Sequence, residues 1–332
     1  MLSKKIGIDL GTSTVLVYVK GEGVIVNEPA LMATDGNGGR VLAIGRAASQ
    51  LVGRGGKART VRLVRDGNGV DYGVAGAMLQ HLIGRIVGRQ RIFRPDVMLS
   101  VAPMVTGVER RAVLEATMQA GAKTAYLIDK PMAAAIGAKV AVSSTDGIVV
   151  VNLGAGSTEI ALIALGEMLA MESIPIGGEA LDRAIEASIA QTRGAQLNPG
   201  DAERLKLGIG SAIAPANESS IELNGEGEPR RTPLRVSSSE VQMAMREPLD
   251  AIAAGLQRLL SQVPEARRAA VNRNGLVLSG GGAQLPGMAE FLTARVGIPA
   301  RVAHDPQSCV AVGTGMALDN MQVVRRGQHY IT

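Results

Sequence analysis

The chain has no tryptophan, two phenylalanines, three histidines and one cysteine among its 332 residues. Each shortage removes a class of protein. With so few aromatic faces to stack on bases, a single-stranded nucleic-acid platform is not expected, and no nucleic acid is among the expected partners. The lone Cys309 excludes an internal disulfide and fits a reducing compartment. Three histidines and one cysteine, widely spread, do not build a usual zinc site. No uncharged apolar run reaches the roughly 18 residues of a membrane-spanning helix. The opening MLSKKIGIDL has no long apolar core ahead of its charged turn, so no signal peptide is expected, and the expected location is the cytoplasm. Neither G-x-x-x-x-G-K-[ST] nor a complete G-x-G-x-x-G occurs, which argues against P-loop enzymes and Rossmann dehydrogenases.

What is present is aliphatic and rich in glycine. Hydrophobic residues make up 46% and charged residues 20%, the balance of a folded protein, so its cores are built from Ala, Val, Ile, Leu and Met. The 42 glycines provide for many tight turns. A net charge of +5, scattered along the chain, reads as a solvated surface, with weak attraction to an anionic membrane surface or to nucleic acid as the alternative. The length suffices for two sizeable cores.

Strand-like segments cluster at Ile6–Leu10, Thr14–Lys20 and Gly23–Asn27. A helical pattern over Gly73–Gly88, a buried strand over Asp96–Pro103, a helix over Val108–Ala122, a strand through TAYLIDKP and a helix through MAAAIGAKVA follow. The pattern then restarts. Asp146–Leu165 reads strand, turn, strand, and helices follow over Gly178–Thr192 and Asp201–Ala212. Ser237 and Glu240 have capping-box spacing, so a helix starts there, and Pro248 kinks or divides it. Gly275–Gly287 reads strand, glycine turn, helix. IGIDLGTSTVLVYV and IVVVNLGAGSTEIALI are thus two copies of one hairpin, with Asp9 and Asn152 separated by 143 positions, about one domain. The fold class expected is α/β, a duplicated arrangement of central sheets flanked by helices.

A hairpin tip of glycine and hydroxyl residues exposes backbone N–H groups in a small concavity that suits phosphate. Thr12, Ser13 and Thr14 add donors. Asp9 would repel a bare phosphate, so a cation is expected between them. Mg²⁺, which keeps most of its waters and binds through few carboxylates, fits. Two such turns could hold a nucleoside triphosphate between two lobes, with the Gly280–Gly282 turn letting the backbone approach closely.

The three motifs together resemble the actin superfamily of actins, sugar kinases and DnaK-type chaperones. The more specific resemblance is to the MreB family of bacterial actins, carried in family order by IGIDLGTSTVLVYVKGEGVIVNEPALMATD, VERRAVLEATMQAGA, LIDKPMAAAIGA, IPIGGEALDRAI, DAERLKLGIGSA and LSGGGAQLPGM. The resemblance implies ATP and Mg²⁺ in a cleft between two actin-like lobes, 1–140 plus 310–332 and 141–309, with small insertions at about 30–70 and 178–240. It places Gly11, Thr12, Ser13 and Thr14 on the first phosphate loop, and Gly154, Gly156, Ser157 and Thr158 on the second. Gly280, Gly281 and Gly282 fall near the adenosine, and Glu203 and Lys206 on a ribose- and base-contacting motif, although the last two also read as a surface ion pair. Asp9, Asp129, Asn152 and Glu159 are the catalytic candidates, with Asp9 reaching the metal through water.

The departures bear on rate. The family has Asp where this chain has Asn152, Gly-Gly-Gly-Thr-Thr at Gly154–Thr158, and Ile-Glu-Glu-Pro where this chain has Ile128-Asp129-Lys130-Pro131. Asn lacks the charge that orders Mg²⁺, and Asp129 is one methylene short, a change that costs about 100-fold if it misplaces the water by an ångström. ATP binding with slow hydrolysis is the expectation. RIFRP (Arg91–Pro95) flanks Ile92 and Phe93 with cations, which suits shallow insertion into an anionic bilayer, against the alternative of a buried loop anchor. The resemblance further implies self-assembly into filaments at the inner face of the cell membrane, wall-elongation membrane proteins as partners, and a role in cell shape. A non-hydrolysing scaffold paralogue and, further off, a sugar or acid kinase are the alternatives.

Overall fold

The computed structural model describes residues 3–35, 40–52, 59–62, 72–88, 94–223, 233–320 and 330–331. By its internal contacts the chain forms two units, one of Met1–Thr145, Ile163–Leu169 and Gln307–Thr332, the other of Asp146–Leu162 and Ala170–Pro306.

The first unit opens with β1 (Lys5–Leu10), β2 (Thr14–Val19) and β3 (Gly23–Pro29), an antiparallel meander. Strands β4 (Leu31–Thr34), β5 (Val41–Ile44) and, after helix α1 (Arg46–Val52), β6 (Arg59–Arg62) make a small sheet of their own. Helix α2 (Tyr72–Val87), β7 (Asp96–Val101), α3 (Gly107–Gln119), β8 (Thr124–Asp129) and α4 (Lys130–Gly137) follow. β7 and β8 run parallel to β1, giving the order β3-β2-β1-β7-β8, with Tyr330–Ile331 pairing antiparallel on the far edge. The runs IGID and VMLSV are buried throughout, as strands covered on both faces must be. Ile6, Ile8, Val97 and Leu99 share one core with Met78, Leu79 and Ile83 of α2 and Leu114 of α3.

The second unit repeats that plan. β9 (Ile148–Leu153), β10 (Thr158–Ala164) and β11 (Glu167–Ile174) lie side by side, followed by α5 (Gly178–Arg193), α6 (Asp201–Ile209), β12 (Ser220–Leu223) and β13 (Leu234–Ser237), the last two forming a two-stranded sheet. Next come α7 (Ser238–Ala244), α8 (Arg246–Ser261), α9 (Glu265–Asn274), β14 (Leu276–Ser279), α10 (Met288–Val296) and β15 (Ala300–Val302). The sheet order is β11-β10-β9-β14-β15, with β14 parallel to both neighbours. Strand for strand this matches the first unit: a three-strand run whose first strand has two further strands beyond it.

Local chemistry sets the boundaries. Ser237 and Glu240 form the reciprocal capping box expected of them. The long helix divides at Met245, which puts Pro248 in the first turn of α8, where its missing N–H costs no helix bond. The strand read through Lys130 and Pro131 ends instead at Asp129, and both residues belong to the first turn of α4. Proline at the second helical position favours helix there, so Lys130 starts a helix.

Helix α11 (Cys309–Ala317) closes the first unit against α4 and β1. Glycine makes the crossing possible. A Cβ on Gly313 would lie 1.8 Å from the Ala133 carbonyl oxygen, and one on Gly137 would lie 1.9 Å from that of Cys309. Both clashes are with backbone, which cannot swing away. We expect Gly313→Ala to destabilise the protein by about 3 kcal/mol and lower its thermal midpoint by several degrees. In Gly84→Ala, at a site on α2 with no atom within 4 Å of the new methyl, the midpoint should hold or rise slightly. Thermal denaturation of the two variants side by side checks this.

Candidate functional site

The two hairpin tips close by the same hydrogen bond. The N–H of Gly11 donates to the Thr14 carbonyl at 3.0 Å, and that of Gly154 to the Ser157 carbonyl at 2.9 Å. A Cβ would lie 2.6 Å from the first acceptor and 2.9 Å from the second, so each closure needs glycine. Thr12, Ser13 and Thr14, and Ala155, Gly156 and Ser157, are left partly exposed, while Thr158 is buried and donates to the Ile176 carbonyl at 2.7 Å.

In the first unit Asp9 is the last residue but one of β1, side by side with Ser100 of β7, which in turn neighbours Ile128 of β8. This is the carboxyl edge of parallel strands, where open α/β sheets bind ligands. Asp9 is 8% exposed. Its Oδ1 accepts a hydrogen bond from Ser100 Oγ at 2.6 Å and lies 3.4 Å from Lys130 Nζ. Asp129 turns elsewhere. It is the N-cap residue of α4 but makes no capping bond, and its Oδ1 accepts from Arg110 Nη2 at 2.5 Å. Arg110 is fixed in turn by donating to the Val105 and Pro103 carbonyls. Of the Asp129-Lys130 pair, the lysine is the one that meets Asp9.

In the second unit the register is the same, with Asn152 of β9 beside Ser279 of β14. Ser279 Oγ donates to Asn152 Oδ1 at 3.2 Å, while Asn152 Nδ2 donates to Glu159 Oε2 at 2.9 Å. Ser157 Oγ donates to Glu159 Oε1 at 2.5 Å. Glu159 is 2% exposed, and no basic side chain forms an ion pair with it among the described residues. Its counterpart in the first hairpin is Leu16, which pairs with Asp9 across the strands. The second hairpin therefore keeps one carboxylate but carries it on the facing strand, with asparagine as the donor that holds it.

The start of α5 braces the second turn. Gly178 and Glu179 donate their N–H groups to the carbonyls of Gly154 and Ala155. A Cβ on Gly177 would lie 2.5 Å from the Gly154 oxygen. Lys206 donates to the Gly178 carbonyl at 3.0 Å and to Asp182 Oδ2 at 2.8 Å, so Asp182 is its ion-pair partner, while Glu203 stands one turn earlier on α6. Burial pushes the Asp182 carboxyl up, outweighing the Lys206 hydrogen bond and charge. Gly280, at φ +83°, donates its N–H to Pro306, and a Cβ there would meet the Leu153 carbonyl at 2.3 Å. A Cβ on Gly282 would lie 2.9 Å from that of Leu153, whereas Gly281 faces open space. Two of the three glycines are thus required by packing beside the second turn. Ile92 and Phe93 lie outside the described residues.

The donor set around Asp9 does not fit a magnesium ion at its Oδ1. That oxygen already has a hydroxyl donor and an ammonium, and a divalent cation there would face a like charge. No group of three or more Asp, Glu, His or Cys able to hold a metal occurs among the described residues. The sequence reading missed Ser100, Ser279 and Arg110, and took Lys130 only as part of a departure from the family pattern. The available signal was a serine at the end of each buried strand, in MLSVAP and LVLSGGG.

Two sheets of one strand order, each with a glycine-closed turn after its first strand, define the actin-like class of α/β protein. The sequence model of the MreB/Mbl protein matches residues 3–326, and the chain belongs to that family. It is 39% identical to the cell shape-determining protein MreB of Escherichia coli K12 over 330 residues, covering 96% of this chain and 94% of the relative. It is 35% identical to the cell shape-determining protein Mbl of Bacillus subtilis 168 over 326 residues, 97% of each. Its fold is similar to MreB5 of Spiroplasma citri bound to ADP, with a TM-score of 0.89 at 28% identity, covering 98% of this chain and 99% of that one.

Asn152→Asp would set a second carboxylate against Glu159. The folded variant then holds a proton between the two that the unfolded chain releases above about pH 4. Its stability should therefore fall as pH rises. We expect its deficit in thermal midpoint against wild type to be larger at pH 8 than at pH 5. An equal deficit at both would show that the two groups do not meet.

Proposed function

We propose that this chain is an ATP-binding, filament-forming cytoskeletal protein that acts in determining cell shape. The observation that carries the reading is the paired closure at Gly11–Thr14 and Gly154–Ser157. Both turns present backbone N–H groups and hydroxyls beside the carboxyl edge of parallel strands, which is phosphate-binding chemistry. Family membership and the similarity to an ADP-bound MreB5 support it. In this reading Gly11, Thr12, Ser13 and Thr14, and Gly154, Gly156, Ser157 and Thr158, hold phosphates. Gly280, Gly281 and Gly282, with Glu203 and Lys206, serve the nucleoside. Magnesium, where present, travels with the phosphates. Wall-elongation membrane proteins are the proposed partners, at the inner face of the cell membrane. Purified protein with ATP should give filaments in electron micrographs; isolated particles at all protein concentrations would overturn the assembly reading.

Hydrolysis is slow in this reading. Both polar ends of Asn152 are occupied by Ser279 and Glu159, and Arg110 holds the Asp129 carboxylate. Neither is free to place a water. This favours, as second reading, a scaffold whose filaments do not hydrolyse ATP. Single-turnover hydrolysis in wild type beside Asp129→Glu decides. A gain of about 10- to 100-fold in the variant is expected for a slow ATPase, and no turnover in either protein marks the scaffold.

Membrane attachment belongs to the same proposal and rests on Ile92 and Phe93 between Arg91 and Arg94. Weak contacts repeated along a filament multiply by avidity. No helix among the described residues is long and apolar enough to cross a membrane. In co-sedimentation with anionic vesicles, the Ile92→Ser, Phe93→Ser variant should stay in the supernatant under conditions that pellet wild type. Equal pelleting would place the contact elsewhere.

A further inference from the structure

We infer that Ser157 accepts a phosphoryl group from a bound nucleoside triphosphate, with Glu159 as the base that takes its proton, so that the chain modifies its own second turn. The inference rests on the nucleotide reading above and concerns the second unit alone. Its ground is a directed chain of side chains. Ser157 Oγ donates to Glu159 Oε1 at 2.5 Å, Asn152 Nδ2 donates to Glu159 Oε2 at 2.9 Å, and Ser279 Oγ donates to Asn152 Oδ1 at 3.2 Å. A hydroxyl within hydrogen-bond reach of a base, with the base oriented by a third group, is the arrangement of an activated nucleophile.

Stability does not explain this chain. Glu159 is 2% exposed, and a buried carboxylate costs solvation that an apolar side chain would not. At the matching place in the first hairpin stands Leu16, itself buried. Asparagine rather than aspartate at position 152 fits the same reading, because only the amide has a proton to donate to Glu159. Asn152 thus positions the base, and the Ser279 hydroxyl fixes which way the amide faces.

The proton count decides what Ser157 offers a ligand. A hydroxyl has one proton and two lone pairs. The Ser157 proton is directed at Glu159, so this partly exposed residue has lone pairs left for a ligand. Such an oxygen cannot donate to the oxygens of a phosphate, but it can attack phosphorus. In the transfer, the bond from Ser157 Oγ to the γ-phosphorus forms as the bond from that phosphorus to the bridging oxygen of the triphosphate breaks. The electron pair of the broken bond leaves with the nucleoside diphosphate. The hydroxyl proton passes to Glu159 Oε1, which removes a buried charge. Nothing is oxidised or reduced, and the triphosphate is the single co-reactant.

The test is incubation of the full chain with magnesium chloride and ATP labelled in its γ-phosphate, followed by counting of protein-bound label and mass spectrometry of the digested protein. Wild type should take up to one phosphoryl group per chain, on Ser157. Ser157→Ala should take none there, and Ser157→Thr, which keeps a hydroxyl, should still be labelled. Glu159→Gln should be labelled at least about 10-fold more slowly while binding AMPPNP as wild type does. Label confined to other residues, undiminished label in Ser157→Ala, or a Glu159→Gln rate equal to that of wild type overturns the inference. Should Glu159→Gln not fold, which its thermal melt will tell, the mapped position in wild type and the two serine variants still decide. Wild type that binds AMPPNP in isothermal titration yet takes no label from ATP defeats this inference alone. Absence of AMPPNP binding by wild type would defeat the nucleotide reading itself, and this inference with it.

Discussion

The candidate site depends on one backbone hydrogen bond made twice: a glycine N–H at the end of a buried strand donating to a carbonyl three residues on. The bond can form only where no Cβ stands in the way, and at both places the space left is under 3 Å. Once the turn is pinched in this manner, the hydroxyl residues of the tip cannot fold back into the core. The strand leaving the turn is also set antiparallel to the one entering, with its side chains in register. Every other feature of the two sites, from the serine beside each strand end to the charge it holds, is positioned relative to that pinch.

Because the closure is made by backbone, the side chains around it could diverge without opening it. They have done so in charge while keeping geometry. The first copy holds Asp9 against Ser100 and Lys130, a nearly neutral group. The second holds Asn152 against Ser279 and Glu159, a buried carboxylate supported by hydrogen bonds from an amide and a hydroxyl. The amide and the hydroxyl that donate to it tie its oxygens down.

Much of this architecture is local and could be read from the chain. The two hairpins announced themselves by apolar runs on either side of a Leu-Gly pair. The capping box at Ser237 and the division of a helix before Pro248 followed from rules that span a few residues. What could not be read was set by register between distant strands. Ser100 meets Asp9 across 91 residues and Ser279 meets Asn152 across 127, and no spacing rule links them. Lys206 illustrates the same limit from the other side. Its spacing from Glu203 suggests a pair on one helix face, yet the pairing observed is with Asp182 on a different helix, 24 residues away. A helical spacing says which residues can meet, whereas packing between helices says which do.

The glycines make a related point about inference from motif. Gly280–Gly282 reads as a loop opened to let a ligand approach, but Gly280 and Gly282 are already required by Leu153, the residue just before the second pinch. A glycine-rich turn can therefore be a packing solution first. The same contact that forbids side chains at Gly280 and Gly282 brings the turn against the strand that carries Asn152 and leads into Gly154. The chain, with no tryptophan and only two phenylalanines, fills part of its interior by such backbone approaches. Where α4 crosses α11 the same device is used with no ligand in view, which argues that close glycine packing is the general means by which this sequence holds its sheets and helices together, and that the sites were built out of it.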